Sequence, residues 1–165
     1  MKIGLLTISD RGSTGEYEDR SGPLMTQLIE ENCSWTIDRR AVIPDDFNTI
    51  VETLTNWSDE NLNLILTSGG TGFAPRDITP EATRQVIDRQ APGIAEGLRA
   101  ESLKITRHAM LSRGVAGMRH PTLIINLPGS PKAVRENLEV LLPILPHALE
   151  LLANTPGSEN HHHST

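Results

Sequence analysis

The segment Thr67-Ser68-Gly69-Gly70-Thr71-Gly72 places three glycines and three hydroxyl side chains in six positions, directly after the apolar run Leu62-Asn63-Leu64-Ile65-Leu66. Glycines there let backbone N–H groups approach a phosphate without side-chain interference, and the hydroxyls add donors. A plain tight turn satisfies the same spacing. The segment is not a Walker loop, because no Gly-Lys-Ser/Thr follows. Pro75 also stands where a dinucleotide fingerprint begun at Gly70 needs its last glycine. Arg76-Asp77 and a helix start come next, which favours anion binding over a bare turn.

Pro128-Gly129-Ser130-Pro131 forms a second candidate anion seat. Ser130 can cap the helix that Pro131 opens and leave N–H groups near its positive end, with Lys132 adding charge. An ordinary N-cap is the simpler account of Ser130 taken alone. Two carboxylates, Asp45 and Asp77, lie in loops beside helix starts, where capping is the default role. For the helix after Pro44, Asp45 and Asp46 compete for that role. For the helix after Ile78, Thr79 is the expected cap, with Pro80 at the first helical position, so Asp77 is left to face a cation. Two carboxylates near phosphate-binding loops suit Mg²⁺, which takes hard oxygen ligands and keeps several waters.

Other chemistry is poorly represented. Ser112 and His108 are near in sequence, but no Gly-x-Ser-x-Gly elbow exists. His120 and His147 read as surface or satisfied structural histidines. Cys33 reads as a small core residue inside an amphipathic helix, without a metal-ligand partner at suitable spacing. The His161-His162-His163 triplet near the end of the chain is set aside as poor evidence for a metal site.

These residues need elements to position them. Ile3 to Ile8, Leu62 to Thr67 and Thr122 to Leu127 are nearly continuous apolar runs, expected as buried strands. Trp35 to Ile43 alternates and suits a less buried strand. Helices are expected from Pro23 (Leu24, Leu28, Ile29 inward), after Asp45–Asp46 (Ile50, Val51, Leu54 inward), from Thr79 to about Gln90, from Pro92 through Leu103, and from Pro131 onward. Pro143 and Pro146 predict a kink or break in the last of these. Alternating strands and helices with continuous apolar strands predict a mostly parallel sheet covered on both faces, with ligands beyond the carboxyl ends of its strands. Three polar or glycine-rich segments follow strands: Ser9–Gly12, Ser68–Asp77 and Pro128–Pro131. The candidate contacts are therefore Ser9 and Asp10 in the first, Thr67, Ser68, Gly69, Gly70, Thr71 and Gly72 around the second, and Pro128, Gly129 and Ser130 in the third.

Composition narrows the classes. With 165 residues, one domain is expected over 1–153, followed by a disordered polar tail over 154–165. A single cysteine excludes an internal disulfide framework and suits a reducing, cytoplasmic setting. Net charge is 15 − 21 = −6 and aromatics are 3% of residues, so neither the basic surface nor the stacking rings of a general nucleic-acid binder are present in bulk. No apolar run approaches a membrane span, and Met1-Lys2-Ile3 is expected to open directly into a strand, with no cleavable signal.

Taken in order, Leu5-Leu6-Thr7-Ile8-Ser9-Asp10, Asp19-Arg20-Ser21-Gly22-Pro23, Val42-Ile43-Pro44-Asp45-Asp46, Thr67 to Gly72 with Pro75 to Thr83, Glu101-Ser102-Leu103-Lys104, Ala109 to Arg113 and Leu127 to Pro131 make a specific set. The chain resembles the MogA family of molybdopterin adenylyltransferases, including the plant and gephyrin G domains, over about residues 3 to 152. The resemblance implies a three-layer α/β/α fold, commonly trimeric, acting in molybdenum cofactor biosynthesis. It implies transfer of AMP from Mg-ATP to molybdopterin with release of pyrophosphate, and a separate MoeA-type insertase as partner. Asp45 and Asp77 match the family's two key aspartates and Gly69 to Gly72 its glycine-rich loop. Ser102 and Ser112 match pterin-side serines, and Gly129 with Ser130 the nucleotide-side loop; some relatives carry Asn or Gln at the position of Ser130.

The chemistry is compatible with that implication. A phosphate monoester is largely dianionic at neutral pH and attacks without a general base, so such a transferase needs positioning and charge neutralisation more than a triad. Two other readings stay open: the closely related MoaB type, and a non-catalytic trimeric carrier that presents the pterin to a partner.

Overall fold

The computed structural model describes residues 1–154, so the expected tail lies, from residue 155 on, outside the described residues. Among the described residues six strands form one sheet: β1 (Lys2–Ile8), β2 (Thr36–Ile43), β3 (Leu64–Ser68), β4 (Arg89–Gln90), β5 (Ala116–Arg119) and β6 (Thr122–Leu127). Their spatial order is β2-β1-β3-β6-β5-β4, and a one-turn helix, α1 (Asp10–Ser13), follows β1. The first four in that order run parallel, while β5 and β4 are antiparallel additions at one edge.

Side chains alternate along the central strands and fill two cores. Ile3, Leu5, Leu64, Leu66, Leu123, Ile125 and Leu127 face one side. They meet Met25 and Ile29 of α2 (Ser21–Asn32), Leu98 of α5 (Pro92–Leu103), Val134 and Leu138 of α6 (Pro131–Leu141), and Leu149 of α7 (Leu145–Leu152). Leu6, Ile8, Ile65 and Ile124 face the other side, against Ile50, Leu54 and Trp57 of α3 (Phe47–Asp59) and Ala82 and Val86 of α4 (Thr79–Val86). The fold is thus three-layer α/β/α with a mostly parallel sheet, as expected. Strands buried on both faces have no polar side, which is why β1, β3 and β6 are so uniformly apolar.

Several local expectations need correction. One holds as stated: the last helix breaks, with α6 ending at Leu141 and α7 restarting at Leu145 and carrying Pro146 in its first turn. Helix α2 begins at Ser21, two residues before Pro23, because the Asp19 carboxylate accepts the N–H groups of Ser21 and Gly22 at 3.0 Å each. Cys33 lies just past α2 in extended backbone, half-buried against the first core, and burial raises its thiol pKa. Helix α4 stops at Val86 rather than near Gln90, since Arg89–Gln90 is drawn into an edge pairing with Gly117 and Met118. Thr79 is not a cap: it is the first residue of α4, and its buried Oγ1 has no hydrogen-bond partner.

Candidate functional site

Because β1, β3 and β6 are neighbours and parallel, the three segments that leave their carboxyl ends converge on one edge of the sheet. Hydrogen bonds sew them together. Gly69 N–H donates to Leu127 O at 3.2 Å, Ser68 Oγ to Pro128 O at 3.0 Å, and Ser21 Oγ to Gly129 O at 2.9 Å. The loop after β2 joins through a reciprocal pair: Asp10 N–H donates to Asp45 Oδ2 at 2.9 Å, and Asp45 N–H to Asp10 Oδ1 at 3.0 Å. Asp46, not Asp45, caps α3, accepting Thr49 N–H at 2.9 Å, which frees Asp45 to face the cleft.

Two compartments open on this edge. The first, about 480 Å³, is lined largely by apolar groups such as Leu98, Leu111, Val115 and Ile125, with Ser102, Ser112 and Asn137 among its polar residues. The second, about 550 Å³, is the more polar of the two, with Ser9, Asp10, Asp19, Ser21, Asp45 and Ser68 on its walls. They share Gly70, Asp77, Gly129 and Ser130. The cleft is therefore bipartite, and its two halves meet where the glycine-rich loop, one carboxylate and the start of α6 come together.

The sequence-derived residues divide accordingly. Ser102, Ser112, Thr71, Gly72 and Pro128 line the first half; Ser9, Asp10, Asp45, Ser68 and Gly69 line the second. Thr67 lines neither: it is fully buried, and its Oγ1 accepts from Asn126 Nδ2 at 3.1 Å in a core network that also holds Thr83. Ser102 is oriented by Asn137, whose Nδ2 approaches its Oγ at 3.3 Å. Ser130 caps α6, accepting Ala133 N–H at 3.3 Å.

Asp77 is held differently from the expectation. With Thr79 not acting as a cap, the reason for its availability falls away, and local geometry supplies another. Asp77 closes a turn on itself: its N–H donates to Ala74 O, and its Oδ2 accepts Ala74 N–H, both at 2.8 Å. One of its two oxygens is thus engaged while the residue still lines both halves of the cleft.

Charge in the second half is tightly arranged. Arg76 forks the Asp10 carboxylate through Nε at 2.7 Å and Nη2 at 2.8 Å, and this hydrogen bonding holds Asp10 below the usual carboxylate range. Asp45 moves the other way. Burial raises its pKa, and the charges of Asp10 and Asp77 add to the rise. An anion kept desolvated beside two others is costly unless a cation arrives. Among the described residues no group of three or more His, Cys, Asp or Glu side chains forms a ready metal cage.

Gly70 is strictly required by this packing. Its φ is +62°, and a Cβ there would collide with Thr79 Oγ1 and stand 3.0 Å from Asp45 Oδ1. Gly70→Ala is expected to cost roughly 1–2 kcal/mol from the left-handed backbone alone, with the collision on top. The substitution is therefore felt by the fold as well as by any ligand. Gly97→Ala, in α5 with open space around the new methyl, is expected to stabilise by roughly 0.5–1 kcal/mol. Urea unfolding of both variants checks the contrast, and a Gly70→Ala protein as stable as wild type would refute it.

Two participants escaped the sequence reading, and a third has an unforeseen partner. Arg113 clamps the glycine-rich loop: its N–H donates to Thr71 O at 2.9 Å, its Nε to Gly72 O at 2.6 Å, and its Nη2 to Asp77 O, with Glu81 paired to Nη1. Asn126 is the second; Arg76, read in the sequence as a cue to anion binding, is instead turned onto Asp10. Arg113 and Arg76 sit in motif segments, but nothing local signals partners 41 and 66 residues away.

Comparison with known proteins agrees with this architecture. The family model described as the probable molybdopterin binding domain matches residues 4–147. Gephyrin of Dictyostelium discoideum is 47% identical, over 94% of this chain and 23% of that protein. The molybdenum cofactor synthesis protein cinnamon of Drosophila melanogaster is 46% identical, over 92% of this chain and 26% of its own length. The chain thus spans about a quarter of the length of these two relatives. The molybdopterin adenylyltransferase of Helicobacter pylori is 43% identical, covering 91% of this chain and 86% of that enzyme. Among solved structures, the molybdopterin biosynthesis enzyme MoaB of Thermus thermophilus superposes with a TM-score of 0.88 at 49% identity, over 94% of this chain and 98% of that one. A MogA structure superposes with the same score at 39% identity, over 92% and 99% of the two chains. With the three loops at one sheet edge, the bipartite cleft and these relatives in agreement, the chain belongs to the molybdopterin-binding-domain family.

Proposed function

We propose that the chain transfers the adenylyl group of ATP to the terminal phosphate of molybdopterin, a step of molybdenum cofactor biosynthesis, in the cytoplasm. The observation that carries this reading is the bipartite cleft. A largely apolar half with serine handles suits a pterin, a polar half suits a nucleotide, and both end at Gly70, Asp77, Gly129 and Ser130. Relatives named molybdopterin adenylyltransferase, covered over most of their length, support the same reaction.

In this reading a terminal phosphate oxygen of the pterin attacks the α-phosphorus of ATP, the bond to the β-phosphate breaks, and pyrophosphate leaves. The attacking monoester is already ionised, so no residue needs to remove a proton. Backbone N–H groups of the glycine-rich loop and the start of α6 hold the phosphates in line. Ser102 and Ser112 orient the pterin. Asp45 and Asp77 fit Mg²⁺: both are hard oxygen donors, and they stand close enough for the charge of one to raise the pKa of the other. When bound, Mg²⁺ supplies neutralisation of the phosphate charge. Arg113 fixes the loop and the Asp77 backbone so that neither moves as charge develops. The exposed apolar side chains of Ile105, Met110, Leu111 and Phe73 favour assembly, in this reading as a homotrimer that hands its product to a separate MoeA-type insertase.

The test is direct. Protein, Mg-ATP and molybdopterin are mixed, and adenylylated pterin and pyrophosphate are sought, with and without a chelator. Product that disappears on chelation is expected. Binding of both ligands without product would overturn the enzyme in favour of a carrier.

A further inference from the structure

The geometry points to Tyr17 as the platform on which the nucleotide's purine base stacks, with the guanidinium groups of Arg11 and Arg20 completing the platform. This rests on the reading that the polar half of the cleft takes the nucleotide, and it names the part of that half that recognises the base.

Aromatic side chains are scarce in this chain: one Tyr, two Trp and two Phe. Tyr17 is the one that lines the polar half. It is 51% exposed although the fold has two apolar cores in which to bury a ring. Its backbone is tied down, with Tyr17 N–H donating to Arg11 O at 3.1 Å. The guanidinium carbons of Arg11 and Arg20 stand 5.4 Å and 6.0 Å from the ring centroid. Two cations thus share one exposed ring, on a chain whose net charge is −6.

The rest of that half has the opposite sign. Asp10, Glu18, Asp19, Asp45 and Asp77 line it as well, with Glu18 Oε2 standing 4.0 Å from Arg20 Nε. An aromatic ring with two guanidinium groups, sharing one compartment with a set of carboxylates, matches one ligand shape: a flat base at one end and a polyphosphate with its divalent cation at the other. Purines stack on tyrosine rings and on guanidinium planes, and a cation near the ring reinforces such a stack. A volume of about 550 Å³ lies within the range of small-molecule sites. A stack that served only to close the loop would not need its ring turned to the cleft.

Calorimetric titration of the full chain with Mg-ATP, inorganic triphosphate and molybdopterin tests this for wild type, Tyr17→Phe and Tyr17→Ala. Tyr17→Ala is expected to weaken ATP about tenfold or more while leaving triphosphate and molybdopterin affinities within twofold. Tyr17→Phe should restore ATP binding, since the stack uses the ring and not the hydroxyl. In turnover, Tyr17→Ala should raise KM for ATP far more than it lowers kcat. Unchanged ATP affinity, or equal loss of ATP and triphosphate, would overturn the platform. A wild type that adenylylates molybdopterin while Tyr17→Ala binds ATP normally removes the platform alone. A wild type that binds no ATP removes the nucleotide reading with it.

Discussion

Asp77→Asn is expected to slow adenylyl transfer at least about a hundredfold while leaving molybdopterin affinity within a few-fold. Asp77 is the carboxylate common to both halves of the cleft, so it stands where the two phosphates must meet. Its Oδ2 lies 2.8 Å from where a Cβ on Gly72 would be, pressed against the phosphate-type loop. Asparagine keeps the shape, and its side-chain oxygen can still accept the Ala74 N–H that closes the turn. The clamp from Arg113 reaches the Asp77 backbone carbonyl and is indifferent to the substitution. What disappears is one negative charge. Losing one electrostatic catalytic element costs about 3–4 kcal/mol of transition-state stabilisation, which is a hundredfold or more in rate. The pterin phosphate gains nothing from a neighbouring anion, so its binding should survive. Single-turnover kinetics at saturating Mg-ATP beside a pterin titration decide the matter. Turnover within a few-fold of wild type would remove Asp77 from the reaction, and lost pterin binding in a folded variant would move it to the substrate site.

The parts of this site that are readable in sequence are those with a local physical signature. Strands β1, β3 and β6 are buried on both faces, so their residues are apolar without alternation, and a polar loop after each is conspicuous. That these loops share one edge depends on the order β1-β3-β6, which no residue pattern encodes. Strands β4 and β5 have two and four residues, and their pairing joins segments far apart in sequence, so no periodicity announces them. Thr67 illustrates the opposite error. A hydroxyl beside glycines reads as a ligand contact, but the strand's alternation turns its side chain inward to Asn126. Thr79 is similar: threonine before proline is a good cap by propensity, yet tertiary packing draws its hydroxyl under Gly70 and docks its N–H on Gly70 O at 3.1 Å. The ion pair of Arg76 with Asp10 and the reach of Arg113 depend on loops meeting in space. Each residue is visible in its motif, but its partner is not.

Asp45→Asn should move activity and stability in opposite directions. The folded protein raises the pKa of Asp45 chiefly through burial, with Asp10 and Asp77 adding repulsion. A carboxyl whose pKa is raised on folding favours the folded state while it is protonated. That contribution is fully present below the ordinary carboxylate pKa and is lost as pH rises through the raised value. At neutral pH the wild type therefore carries an ionised group that the fold would sooner hold neutral. Asparagine removes the charge, and its oxygen can still accept Asp10 N–H. The variant should melt at a higher temperature than wild type at neutral pH. The gap should close as pH falls through the raised pKa of Asp45, where the wild type becomes neutral as well. Turnover should fall about a hundredfold, because the same unfavourable charge is what draws the cation and, through it, the polyphosphate. Mg-ATP should stabilise the wild type by mass action and the variant much less. Thermal melts across pH with and without Mg-ATP, read beside single-turnover rates, separate the possibilities. A variant less stable than wild type at neutral pH would make Asp45 a structural tie to the β1 loop rather than a charge held for the ligand. A stabilised variant that has lost both turnover and the Mg-ATP shift would mean that the fold gives up stability at Asp45 to keep a carboxylate ready for the metal.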